Sequence, residues 1–217
     1  MKDADLNNIK SNITKFFAGD LNNRDQNFVK ISIPIILPYS LESRRNEFRD
    51  YVDAARLNII SFAKEYGWGD FTKEEFMDRV IIFDDKTEFD SMLLKLAEAD
   101  PSIHLPETYC AALEKRILIS VTPEYFSKVY PEGKEDRSFE KLLTHEIAHR
   151  LHIRILNEKE KDMGPIWFYE GFAIYAADQF SKSDMILSKE EMIKIMRDPD
   201  RESYIKYNYI FRYFINK

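Results

Sequence analysis

A single cysteine, Cys110, is present in the chain of 217 residues. One thiol cannot close an internal disulfide, so the fold does not depend on an oxidising compartment. No neighbouring residue supports a nucleophilic Cys–His pair. We therefore expect Cys110 to be a small buried hydrophobic residue.

Long apolar runs are also lacking. No stretch is long enough to cross a bilayer as a helix, which predicts a protein without a transmembrane segment. Residues 1–20 mix acids, amides and lysines, and they lack the apolar run of a signal peptide. This favours a cytoplasmic protein, and secretion stays open if the sequence is part of a longer precursor.

An excess of positive charge is absent as well. The net charge is -6, and charges of both signs are interspersed, so nothing indicates nucleic-acid binding. Internal repeats and low-complexity tracts are lacking too. The composition is 44% hydrophobic and 14% aromatic, which is enough for a sizeable core in one domain.

Three of the four histidines lie within eight residues, and two of them form the pattern His145-Glu146-Ile147-Ala148-His149. On a helix, the four-residue spacing places both imidazoles on one face. Two imidazoles and a carboxylate can hold zinc with one position open for water. Glu146 would lie beside that water and take its proton. His152 follows one turn later, and we expect a core or cleft-wall histidine there, since catalytic zinc needs an open position.

Glu170 is the predicted third ligand. It is the one carboxylate in the apolar and aromatic stretch 166–177. A helix this apolar must be largely buried, where a carboxylate is costly unless it is paired or bound to a metal. Gly171 follows it, and a glycine inside a helix suggests close approach to a neighbouring helix.

The order of predicted elements is mixed α and β first, then mostly helical. A short helix is expected within residues 1–18, strands at 28–37, 79–83 and 116–121, and helices at 41–66 and 87–99. From Ser138 onward we expect helices at 138–156, from Pro165, at 188–197 and at 203–217. Asp136 or Ser138 would cap the first of these, whose apolar ridge is Phe139, Leu143, Ile147, Leu151 and Ile155.

The segment Trp167-Phe168-Tyr169-Glu170-Gly171-Phe172-Ala173, together with His145-Glu146-Ile147-Ala148-His149, resembles the gluzincin metallopeptidases. The resemblance covers about residues 139–177. It implies an α+β, zincin-like catalytic domain over 1–217, with a mixed lobe at 1–137, a helical lobe at 138–217 and the active-site helix at their junction. It also implies one zinc ion on His145, His149 and Glu170, Glu146 as catalytic base, and a peptide or protein substrate.

The same resemblance implies a tyrosine that stabilises the oxyanion. Tyr207 is the first candidate, and Tyr204 and Tyr209 are alternatives. The strand at 116–121 would be the sheet edge that pairs with substrate, or else an ordinary central strand.

The chain also departs from the family pattern. The G-x-M-E-N segment of the aminopeptidases is absent, and position 174 is Ile where many thermolysin-like enzymes have an acid. The partner that orients the histidines is therefore unassigned, with Asp178 as a candidate. The alternative to a peptidase is a degenerate zincin-like domain that binds a peptide or protein without cutting it.

Overall fold

A computed structural model describes residues 33–200 and 203–215. The fold is α+β, as predicted: a small mixed sheet in the N-terminal part is followed by a mostly helical region. The predicted helix within residues 1–18 and most of the predicted strand at 28–37 lie outside the described residues. One hydrophobic core, which extends from Ile33 to Phe211, contains residues of both regions.

The sheet has four strands in the order β1-β2-β4-β3. These are β1 (Ile35–Ile36), β2 (Arg79–Phe83), β3 (Ala111–Glu114) and β4 (Ile117–Val121). β1, β2 and β4 run parallel, whereas β3 is antiparallel to β4 and forms one edge. The sheet therefore presents an antiparallel edge strand toward the helical region.

A tight hairpin joins β3 to β4 through Lys115 and Arg116. Both residues have left-handed backbone, with φ of 46° and 64°. This is the backbone of a two-residue hairpin turn, although asparagine and glycine are the residues that usually favour it. Neither the turn chemistry nor the Ala-Ala-Leu-Glu sequence of β3 signals a hairpin, so this strand was not predicted.

Seven α-helices cover most of the remaining described chain. They are α1 (Arg45–Glu65), α2 (Lys86–Leu96), α3 (Pro123–Val129), α4 (Ser138–Ile155), α5 (Ile166–Ala176), α6 (Lys189–Arg197) and α7 (Tyr204–Ile215). The short α3 was not predicted, because a proline directly after a strand also marks the end of that strand. Proline is also suited to the first turn of a helix, and the Thr122 hydroxyl accepts from Tyr125 N to cap it. Within the described ranges, no helix is both long and apolar enough to span a bilayer.

Helix α4 begins differently from the prediction. Arg137 precedes it with left-handed backbone, φ 57°, and no side-chain hydrogen bond caps the helix there, so Asp136 or Ser138 as cap was wrong. Arg137 instead pairs with Glu140 of the first turn, which also accepts from Asn58 of α1. An acidic residue in the first turn complements the positive end of the helix dipole.

Helix α4 lies at the centre of the molecule and packs against α1, α5 and β3. The predicted ridge is confirmed from Phe139 to Leu151, all of whose apolar residues are buried, and Ile155 is half-buried. Arg154 is buried near this ridge because it donates to three backbone carbonyls, those of Phe71, Glu74 and Glu75. Its charge is thereby satisfied within the fold.

Candidate metal centre

His145 and His149 lie one turn apart on α4, with their rings close together. The ring centroids are 4.7 Å apart and the planes are nearly perpendicular, at 87°. The two Nε2 atoms lie 3.1 Å apart. His145 is 4% exposed, whereas the His149 side chain keeps 22% of its surface accessible. The helical spacing thus brings both nitrogens to one point, as predicted.

Glu170 reaches the same point from α5. Its Oε2 atom lies 3.2 Å from His145 Nε2 and 3.7 Å from His149 Nε2. The residue is 2% exposed on a helix that is otherwise apolar and aromatic. The packing of α5 along α4 therefore delivers a buried carboxylate to the two imidazoles.

The three ligand atoms have the spacing that a metal ion requires. Two ligands bonded tetrahedrally to zinc at about 2.0–2.1 Å lie about 3.3 Å from each other. The three distances here, 3.1, 3.2 and 3.7 Å, bracket that separation. His145, His149 and Glu170 therefore form a group that can hold a metal ion.

The electrostatics of the group also favour a cation. Burial by itself would raise the pKa of Glu170, but hydrogen bonds from His145 and His149 outweigh it and hold the pKa well below its ordinary value. Burial by itself would lower the pKa of His145, but the hydrogen bond with Glu170 outweighs burial and raises the pKa. The carboxylate is therefore ionised, and it draws positive charge to the imidazoles.

Gln179 is the partner that orients His145. The His145 Nδ1–H donates to Gln179 Oε1 at 2.9 Å, which leaves Nε2 as the nitrogen that faces Glu170 and His149. Asp178, the predicted candidate for this role, is exposed and lies beside Arg212 and Lys141 instead. The prediction of Asp178 was therefore wrong by one residue, because the turn after α5 exposes Asp178 and buries its neighbour Gln179.

Glu146 lies between the two histidines in sequence and lines the cavity that contains them. It is half-buried, and its negative charge contributes to the raised pKa of His145. A carboxylate beside a metal site, with access to an open cavity, can exchange a proton with a ligand there.

The cavity at the metal group has a volume of ≈1120 Å³. The edge strand β3 and helix α4, which pack against each other, both line it. Of the two alternatives for the strand at 116–121, the ordinary central strand is confirmed and the sheet edge was wrong: β4 lies between β2 and β3, and both of its sides are paired. Among the described residues, β3 is the strand beside the cavity that has a neighbour on one side only, and we call its other side the free edge.

The structure separates the three tyrosine candidates. Tyr204 lines the cavity, and its ring centroid lies 5.7 Å from that of His145. Tyr207 is 1% exposed in a second hydrophobic cluster with Trp167 and Phe214, and it is not part of the cavity lining. Tyr209 packs against the same cluster.

Three further tyrosines, Tyr109, Tyr130 and Tyr169, line the cavity and were not predicted. Burial is the main cause of the raised pKa of Tyr130, and the negative charges of Glu132 and Glu170 raise it further. The chain has twelve tyrosines, and no local pattern distinguishes the few that reach the site.

His152 and Cys110 are not part of the metal group. His152 is fully buried against the ring of Phe172 at 4.6 Å, and burial lowers its pKa to about 3, with a smaller contribution from His149. Cys110 is 2% exposed, and burial raises its pKa to about 12. The predictions of a core histidine and a small buried hydrophobic residue are confirmed.

The cations that line the cavity are each neutralised by a carboxylate outside its lining. The three pairs are Lys115–Glu98, Arg116–Asp78 and Arg150–Glu158. Five carboxylates also line the cavity: Glu114, Glu132, Glu146, Glu160 and Glu170. The local field is therefore negative, which attracts a metal cation and disfavours an anionic ligand.

Comparisons with protein-family models, with curated proteins and with solved structures found no match.

Proposed function

We propose that the chain is a zinc-dependent peptidase of the gluzincin type, with His145, His149 and Glu170 as the metal ligands. The observation that carries the proposal is the convergence of two imidazole nitrogens and a buried carboxylate oxygen within 3.1–3.7 Å of one another. A binding site for zinc alone would need no base, yet Glu146 lies in the same cavity.

Zinc, when bound here, would supply a coordinated water with a pKa near roughly 7 and a positive charge that polarises a carbonyl. Glu146 accepts the proton of the attacking water and then passes it to the leaving amine. His145 and His149 present neutral Nε2 atoms to the ion, and Glu170 contributes its negative charge.

The free edge of β3 supports an extended peptide as the substrate. The backbone groups on this edge, which pair with no other strand in the described part of the chain, can form ladder hydrogen bonds with an added strand, as sheet edges do in peptide recognition. Because β3 packs against α4 and lines the same cavity as the metal group, a peptide bound along β3 would lie beside that group. We place substrate pairing on β3 rather than on β4.

Tyr204 is better placed than Tyr207 to stabilise the oxyanion. It lines the cavity 5.7 Å from the His145 ring, whereas Tyr207 is buried among apolar side chains. A hydroxyl that donates to the developing negative charge contributes a few kcal/mol to the rate.

The deciding experiment measures zinc content and cleavage of a peptide library, with and without a chelator. We expect wild type to bind about one zinc and to cut, and Glu146→Gln to retain zinc but lose about 100-fold or more in kcat, since it has no base. A variant with full activity would exclude Glu146 as the base. Stoichiometric zinc without cleavage by wild type would favour the alternative, a degenerate domain that binds a peptide or protein partner.

A further inference from the structure

The turn that follows α5 holds Gln179 in an uncommon backbone arrangement. Asp178 and Phe180 on either side both have left-handed backbone, with φ of 52° and 53°. Such conformations cost non-glycine residues roughly 1 kcal/mol or more, and they persist where the surroundings determine them strongly. Gln179 N also donates to Ile174 O at 3.0 Å, which closes the turn onto the helix.

Side chains from two directions hold this turn in place. On one side, Phe180 N donates to Glu135 at 3.1 Å and the Lys141 ammonium donates to Asp178 O at 2.6 Å. On the other side, the Asn208 amide donates to Phe180 O at 2.9 Å. The turn is thus fixed from the start of α4 and from α7.

The fixed turn determines the position of Gln179 at the metal group. The side chain is 7% exposed and accepts the hydrogen bond from His145 Nδ1 at 2.9 Å. Its amide oxygen determines which ring nitrogen carries the proton, and it fixes the ring plane. An amide does this without adding a negative charge to the site.

We propose that Gln179 is the positioning residue for the metal ligand His145, and that its neutral amide keeps zinc affinity below the value a carboxylate would give. The inference rests on the metal site of the proposed function. Partners of this kind orient ligands and raise their basicity, and their loss typically weakens metal binding by about 10–100-fold.

The test is the zinc dissociation constant, measured by competition with a chromophoric chelator. We expect Gln179→Ala, and the closer isostere Gln179→Leu, to weaken zinc binding by about 10–100-fold. Gln179→Glu keeps an acceptor and adds a charge, so its affinity should equal or exceed that of wild type. Ser181→Ala, an exposed position in the same turn, is the control and should change affinity by less than about twofold.

Nitrogen NMR of the imidazole rings in the zinc-loaded protein provides a readout that a merely structural role would not change. We expect the Nδ1 proton of His145 to exchange slowly with solvent in wild type and in Gln179→Glu, and rapidly in Gln179→Leu, which offers it no acceptor. If Gln179→Ala and Gln179→Leu are folded and bind zinc as wild type does, the inference is overturned.

The outcomes separate this inference from the proposed function. Unchanged zinc affinity with intact cleavage in the Gln179 variants rejects the positioning role alone. A large loss of zinc affinity in a protein that never cuts peptides supports the positioning role and rejects the peptidase. Wild-type protein that binds no zinc rejects both.

Discussion

Gly171 lies directly against Phe211, and a Cβ atom at Gly171 would come within 2.8 Å of the Phe211 Cβ. This confirms the packing role predicted for the glycine. Because Gly171 follows Glu170, the close approach of α5 to α7 also sets the position of Glu170, the third candidate ligand. The contact thus links helix packing to the geometry of the metal group.

Gly171→Ala should destabilise the fold. Alanine favours a helix over glycine by about 1 kcal/mol, but overpacking costs about 1–3 kcal/mol, and contacts of 2.8–3.0 Å with three Phe211 atoms place this site in the upper part of that range. We expect a net loss of about 1–2 kcal/mol in the free energy of unfolding, measured with urea. Gly69→Ala is the matched control, since its Cβ would meet Lys64 at an ordinary 3.6 Å. Equal stability of the two variants would contradict the packing argument.

Tyr204→Phe and Tyr207→Phe distinguish the two oxyanion candidates. The cavity position of Tyr204 leads us to expect a loss of about 100-fold in kcat on removal of its hydroxyl, with a smaller change in KM. Tyr207→Phe should keep kcat within about threefold of wild type, because that residue is 1% exposed in the second cluster. A large loss of kcat in Tyr207→Phe, with little change in Tyr204→Phe, would instead support Tyr207 as the oxyanion residue. That role of Tyr207 stays a prediction until both variants are measured.

Zinc should stabilise the folded protein through His149. A free zinc concentration of about 100 times the dissociation constant adds about 2.7 kcal/mol to the free energy of unfolding. His149→Ala should remove this gain, and its partly exposed side chain makes it the mildest ligand to delete. The exposed His104 supplies the control variant, His104→Ala, which should keep the zinc-dependent rise in Tm. A zinc response that survives in His149→Ala would exclude this residue as a ligand.

Acid should destabilise the protein partly through His152. Its pKa of about 3 in the fold lies below the value of about 6.5 for an unfolded chain. Between these values the unfolded chain binds a proton that the folded protein does not, so stability falls as pH falls. From pH 7 to pH 5 this contributes about 2 kcal/mol.

His152→Leu removes that titration, so its free energy of unfolding should fall by about 2 kcal/mol less than that of wild type over the same range. Both proteins are measured in chelator, so that zinc binding does not add to the pH dependence. If the free energy of unfolding depends on pH equally in both proteins, His152 has the same pKa in the fold as in the unfolded chain.

The ligands of the candidate metal site could be predicted from local sequence. The spacing of His145 and His149 becomes a shared direction as soon as the segment is helical, and helix geometry is set within four residues. Glu170 was identified because a carboxylate in an apolar helix needs a charged partner. Cys110 and His152 were placed correctly by the same reasoning about burial.

The surroundings of that site could not be predicted in the same way. The edge strand β3 has weak strand propensity, and its place beside the cavity depends on pairing with β4 and packing on α4. The role of Gln179 depends on two left-handed residues that no local pattern indicates. Tyr204 and Tyr207 lie about one turn apart on α7, and the packing of α7 against α5 sets which of them faces the cavity.

The sequence by itself determined that a helix would carry two imidazoles on one face and that a buried carboxylate would follow on the next helix. Tertiary structure alone decided which groups surround them: Gln179 behind His145, Tyr204 on the cavity wall and β3 at the free edge. The reason is the sequence separation between the residues that interact. Helical direction follows from bonds between near neighbours, whereas strand order, helix rotation and hydrogen bonds between distant residues depend on how the whole core packs.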